Sequence, residues 1–155
     1  MELLDKILRE HPFLKGLEER HLDLMTGCAA NAVFKKNEFL FHAGDAANLF
    51  YFIRKGRVVI ETYIPGKGPI EIQSRGEGDV TGWSWIIPPY RWHFDARAVE
   101  TTRAIVLDGK CLREKMETDH DLGYALFKRF AVVIAERLEA TRIQLLDIYG
   151  NSSKK

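Results

Sequence analysis

Between Ala32 and Asp108 the chain is cut into short apolar, strand-like runs by glycine and other turn residues. The runs are Val33-Phe34, Phe39-Leu40-Phe41, Leu49 to Ile53, Val58 to Tyr63, Ile70 to Gln73 and Ala96 to Leu107. Lys36-Asn37, Ala43-Gly44-Asp45, Lys55-Gly56, Pro65-Gly66-Lys67-Gly68-Pro69 and Gly76-Glu77-Gly78-Asp79 separate them. Many short strands at this spacing imply an antiparallel sandwich or barrel. The PGKGP segment is the clearest hairpin tip.

Helical patterns bracket this region. Leu3, Leu4, Ile7 and Leu8 recur at helical spacing, so residues 2–10 read as a short amphipathic helix that Pro12 ends. Leu17 to Met25 reads as a second helix, with Glu18, Glu19 and Asp23 near its start, where the helix dipole favours acids. Leu112 to Glu117 is a short third helix. A long run then opens at His120 or Asp121 and lasts to about Tyr149, with Gly150 expected as its C-cap. Within it Phe127, Ala131, Ile134, Leu138, Thr141, Leu145 and Ile148 form a heptad-like seam. A helix of that length overhangs so small a core, which points to a second copy of the chain as its partner.

At 155 residues the chain fits one compact domain, and its 46% apolar and 29% charged residues are ordinary for a globular protein. The net charge of +1 argues against a broad electrostatic footprint for nucleic acid or an anionic membrane. The two cysteines, Cys28 and Cys111, lack CxxC or metal spacing and read as buried, reduced thiols. The N-terminal segment MELLDKILREHPF is charged rather than signal-like, and no apolar run reaches membrane-spanning length. A cytoplasmic protein is the expectation.

Several segments together resemble the cyclic nucleotide-binding domain family, and more narrowly the sensor half of CRP/FNR-type bacterial regulators. HPFLKGLEERHLDLM is similar to the family's N-terminal helices, and FKKNEFLFHAGDAANLFYFIRKGRVVIE to its first strands, with Gly44 and Gly56 at the turns. GEGDVTG is similar to the approach to its phosphate-binding cassette, and AERLEATRIQLLDIYG to its dimerisation helix. The resemblance implies an α+β, mainly β fold. Its centre is an antiparallel jelly-roll (double-stranded β-helix) barrel flanked by short N-terminal helices and a long C-terminal helix. It implies one domain over residues 1–150: helices in 1–31, barrel in 32–108, C-terminal helices in 112–149, and a disordered tail at 151–155.

The family's cassette works by simple physics. A Gly-Glu pair opens a turn whose free N–H groups face the cyclic phosphate, the glutamate accepts from the ribose, and an arginine pairs with the phosphate charge. Here Gly82 matches the cassette glycine, but Trp83 stands at the glutamate, with Ser84 and Trp85 after it. Trp92 falls on the arginine and His93 on the small residue beside it. Arg91 is one residue early, and a bulge is needed to bring it inward. Losing the charge-assisted pair costs about 2–5 kcal/mol, and losing the ribose contact about 1–3 kcal/mol more. Conventional cAMP or cGMP binding is therefore not expected.

Read as a strand, residues 91–97 put Arg91, His93, Asp95 and Arg97 on one face and Trp92, Phe94 and Ala96 on the other. The ligand-binding candidates are thus Gly82, Trp83, Ser84, Arg91, Trp92 and His93, joined by Thr141 on the dimer helix. Thr141 matches a base-contacting position of the family, while Arg142 replaces the hydroxyl residue beside it. Three readings follow: a sensor for an anionic or aromatic ligand other than cAMP, a ligand-free interaction module plugged by tryptophan, and cyclic nucleotide bound in an altered mode. The five histidines form no HxH pair, so a cupin-like metal site is not expected; neither are a cofactor and catalysis. The regulators that this chain resembles carry a helix-turn-helix beyond the dimer helix. None follows Gly150 here, so direct DNA binding is not expected, and output through a partner protein, a separate output chain or heterodimerisation is.

Overall fold

In a computed structural model the chain is described over residues 2–153, with side chains over 4–150. Helix α1 (Glu2–Glu10), a single 3-10 turn (Pro12–Leu14) and α2 (Glu19–Thr26) precede the strands. Eight strands follow: β1 (Ala29–Phe34), β2 (Phe39–Phe41), β3 (Leu49–Lys55), β4 (Val58–Ile64), β5 (Gly68–Arg75), β6 (Val80–Thr81), β7 (Asp95–Ala98) and β8 (Thr102–Asp108). They form two antiparallel four-stranded sheets, ordered β1-β8-β3-β6 and β2-β7-β4-β5. Helices α3 (Gly109–Thr118) and α4 (His120–Ser153) close the chain. This is the mainly β, antiparallel roll with flanking helices that the pattern of short runs implies.

The boundaries show what periodicity alone did not resolve. The apolar run from Ala96 to Leu107 is two strands in different sheets, because Val99 to Thr101 turns the chain between them. Gly56 permits that corner: at φ +109° it passes so close that a Cβ would lie 2.6 Å from the Thr101 carbonyl oxygen. Strand β1 begins at Ala29, ahead of the expected residue 32, because its register pairs Ala29 with Leu107. Helix α4 does not stop at Gly150 but runs through it to Ser153, into the segment expected as a tail. The Leu3 side chain and the tail residues Lys154 and Lys155 lie outside the described residues.

The cysteines also need correction. Cys28 and Cys111 form a disulfide rather than two free thiols, across Cα atoms 5.9 Å apart. The pairing of β1 with β8 brings the start of β1 to the start of α3, a proximity that a separation of 83 residues hides.

The two sheets and the helices meet around aromatic rings. Trp85 is fully buried and stacks flat on Phe50 at 4.3 Å, and Phe130 of α4 meets it edge-on at 5.4 Å. Phe13 continues the chain of rings, 4.9 Å from Phe130 and 5.5 Å from Phe52. His11 ends it, 4.8 Å from Phe52 and buried. Its Nδ1 accepts the Phe13 N–H at 3.3 Å, capping the 3-10 turn.

Burial pushes the His11 imidazole below its ordinary pKa, with Asp79 opposing only in part. The unfolded chain therefore takes up this proton first, so stability is lost as pH falls through about 6.5. The melting temperature should drop between pH 7.5 and 5.5. A His11→Asn variant, which keeps an acceptor for Phe13, should flatten that drop; an unchanged slope would clear His11 of the effect.

Candidate functional site

The segment from Gly82 to Phe94 leaves β6, turns once and returns to β7. The turn is closed by N–H donation from Ile86 to the Trp83 carbonyl (3.1 Å) and from Tyr90 to the Ile87 carbonyl (2.9 Å). Arg113 of α3 clamps it from outside. Its Nη1 donates to the Trp85 carbonyl at 2.6 Å, and its guanidinium lies 4.2 Å from the Tyr90 ring centre. Trp85 is thereby anchored in the core, where its stack with Phe50 leaves it no ligand to meet.

Trp92 decides the shape of what remains. Its N–H donates to the Asp45 carbonyl at 3.0 Å and its carbonyl accepts from Gly44 at 2.8 Å, so the backbone is fixed against the β2–β3 turn. The indole turns inward, 5% exposed, and stacks on Phe41 at 3.8 Å with the planes 10° apart. Its edge lies on the backbone of Gly82, which adopts φ +94°. A Cβ at Gly82 would sit 2.4 Å from Trp92 Cη2. Where the glycine of such a cassette leaves bare backbone for an anion, the Gly82 surface here is covered by an indole.

Gly82, Trp83, Ser84, Trp92 and His93 do come together with Phe41, Ile60, Phe94 and Arg137, but around a void of only about 20 Å³. That admits roughly one water. A second cavity of about 220 Å³ opens between the inner face of the β4–β5 hairpin and α4, lined by Ile60, Ile72, Gln73, Trp83, Phe94, Ile134, Arg137, Leu138 and Thr141. Thr141 is thus placed beside Trp83, although its hydroxyl donates to the Arg137 carbonyl one turn earlier at 2.9 Å.

Arg91 is not among these residues. It points outward and donates to the Gly44 carbonyl at 3.1 Å, and no bulge turns it in. The strand begins only at Asp95, so the alternation across 91–97 is carried by a bridge at Ala46–Arg91 and a bend. The polar face is outside, with His93 exposed. Asp95 lies 3.7 Å from His42, and Arg97 is paired with the buried Glu61 at 2.9 Å.

Sequence reasoning missed Arg137. It projects from α4 one turn before Thr141 and is 9% exposed. One nitrogen donates to the Val80 carbonyl at 2.6 Å, and the guanidinium lies 4.8 Å from the Trp83 ring centre. Burial, reinforced by the nearby Arg75, pulls its pKa down to about 9, so it remains a cation at neutral pH. This cation rests on the π face of Trp83. The signal was present as a charged residue between the seam positions Ile134 and Leu138, but a heptad reading assigns such a residue to solvent.

Comparison with known proteins agrees with this architecture. The cyclic nucleotide-binding domain family matches residues 32–119, more than half of the chain, and the chain belongs to that family. Similar solved structures include a cyclic nucleotide-binding domain from Methylobacillus flagellatus KT. It has 18% identity and a TM-score of 0.77, over 94% of this chain and 82% of that one. The sensor domain of the transcriptional regulator DNR from Pseudomonas aeruginosa has 17% identity and a TM-score of 0.71, over 90% and 95%. The regulatory subunit of a cAMP-independent protein kinase A from Trypanosoma cruzi, bound to guanosine, has 21% identity and a TM-score of 0.68, over 84% and 45%. At these identities the likeness is one of fold. No curated protein matches the chain.

The contact between Trp92 and Gly82 makes a direct prediction. Gly82→Ala should destabilise the domain by about 1–3 kcal/mol from backbone strain, and by more because of the ring. In a Trp92→Leu background the same substitution should cost measurably less by urea denaturation. Equal costs in both backgrounds would mean that the indole does not rest on Gly82.

Proposed function

We propose that this domain is a regulatory sensor that no longer reads the cyclic phosphate and keeps only the base side of its pocket. Its ligand on this reading is a small planar molecule, neutral or weakly anionic, held in the 220 Å³ cavity against Trp83 and Phe94 with Arg137 at its edge. The observation that carries the reading is the indole of Trp92 on Gly82, which takes the space where a phosphate would meet the turn. The remaining cavity is smaller than the roughly 300–1,000 Å³ typical of drug-sized ligands, which suits a single ring system better than a whole nucleotide. The guanosine in the kinase regulatory subunit, whose description calls it cAMP-independent, supports ligands without a phosphate on this fold. Catalysis has no part in this reading.

The exposed seam of α4 favours a homodimer as the working form. Phe127, Leu138, Leu145 and Ile148 are all at least half exposed, in steps of eleven, seven and three along one side of the helix. Arg142 pairs instead with Glu139 at 2.7 Å, on the solvent side. A ligand beside Leu138 and Thr141 would then lie next to the dimer contact, and could pass its signal to a partner protein through α4. Among the described residues no helix is long and apolar enough to cross a membrane.

Two experiments test this. Neither cAMP nor cGMP at millimolar concentration should raise the melting temperature of the wild-type protein. A Trp83→Glu/Trp92→Arg variant should gain a cAMP-dependent rise, since it restores the ribose acceptor and the phosphate cation. Nucleosides and nucleobases should stabilise the wild type and lose that effect when Ile72→Trp fills the cavity. Failure of every planar compound would leave the tryptophan-plugged interaction module as the better account. Separately, light scattering should find a dimer that Leu138→Glu/Leu145→Glu converts to monomer. A monomeric wild type would remove the homodimer.

A further inference from the structure

A larger hollow lies on a different side of α4. About 610 Å³ in volume, it runs between the 3-10 turn near Phe13, the turn from β5 to β6, and α4. Four cations border it: Lys15, Arg75, Arg129 and Arg137. Two carboxylates, Asp79 and Glu136, face them, so the groove carries a local excess of two positive charges on a chain whose net charge is only +1.

The cations are not spent on ion pairs. Among the described residues neither Arg75, Arg129 nor Arg137 has a carboxylate within ion-pair distance. Arg129 is held in place by the Phe13 and Lys15 carbonyls, at 3.1 and 2.9 Å. Arg75 donates to the Ser74 carbonyl and to Gln73, while its Nε is buried without a partner. Arg137, more than nine-tenths buried, spends one nitrogen on the Val80 carbonyl. Desolvation lowers the pKa of both arginines, Arg75 lowers that of Arg137 further, and Asp79 and Glu136 oppose the shift only in part. Asp79 is partly engaged, its Oδ2 accepting the Gly76 N–H at 2.9 Å.

Two desolvated guanidiniums whose neighbouring carboxylates, Asp79 and Glu136, stay beyond ion-pair distance are costly, and an oxyanion seated between them would offset that cost while accepting from their free N–H groups. We propose that this groove, which shares only Arg137 with the cassette void and the 220 Å³ cavity, is an anion-binding site in which Arg75 and Arg137 hold a phosphate or carboxylate group of a small metabolite. Phe13, Val132 and Val133 offer the rest of such a molecule an apolar wall. The groove stays open in the proposed dimer, because Arg129, Val133, Glu136 and Ala140 form their own row along α4, away from the seam of Phe127, Leu138 and Leu145. Occupancy would also tie the β5–β6 turn, which leads into the cassette, to α4.

The test is calorimetry and thermal shift on the full chain with sodium phosphate, sodium succinate and sodium chloride at matched ionic strength. Phosphate, succinate or both should bind saturably, and the response of the two separates phosphate recognition from carboxylate recognition. Arg75→Gln should weaken that binding at least tenfold. Arg137→Lys, which keeps the charge and loses the fork, should weaken it less than Arg137→Gln. No saturable heat with either anion overturns the site, as does unchanged binding in Arg75→Gln, a residue that borders the groove but not the cassette pocket. Because nucleoside binding is read with Ile72→Trp and anion binding with Arg75→Gln, either proposal can fail without the other.

Discussion

Trp85 stacks flat on Phe50 while Phe130 meets its edge, and this three-ring contact joins the cassette turn, the β1-β8-β3-β6 sheet and α4. Phe13 extends the contact to the N-terminal helices. A buried aromatic of this size contributes more apolar burial than any aliphatic residue near it. The cassette turn is therefore held from below as part of the core, not carried as a free loop. Arg113 holds it from above through the Trp85 carbonyl. With the turn fixed at both faces, the positions of Gly82, Trp83 and Trp92 follow.

The consequence is an exchange of chemistry at one place in the fold. A phosphate seat needs exposed N–H groups and an opposed cation. This chain puts Trp92 on Gly82, stacks it on Phe41, and leaves a void of about one water. Arg137 reaches the same region from α4 and rests on Trp83. It lies between the 220 Å³ cavity and the groove beyond it. This buried arginine thus belongs to the helix that carries the apolar seam.

Much of this was legible from residue order. The glycine-punctuated strands, the N-terminal helices and the long last helix all appear near their expected places, because each rests on local patterning. The departures at Trp83 and Trp92 were visible too, as the wrong residue types for binding a phosphate. What failed were readings that needed partners distant in the chain. Cys28 and Cys111 appeared unrelated until β1 paired with β8. Arg91 looked available to turn inward, yet Gly44 holds it outside. Trp85, which stood in sequence only as part of the altered cassette, is core.

Sequence by itself determined the elements and the family, since both depend on which residue types stand at which spacing. Only the tertiary structure decided which way each side chain points at the site. Whether Trp92 closes the seat depends on a contact with Gly82 of 2.4 Å to a notional Cβ, ten residues away across the turn. Whether Arg137 is a surface charge or a buried one depends on Val80 and Trp83, which approach it from another element. Such facts are set by packing between segments distant in the chain, and no local pattern encodes them.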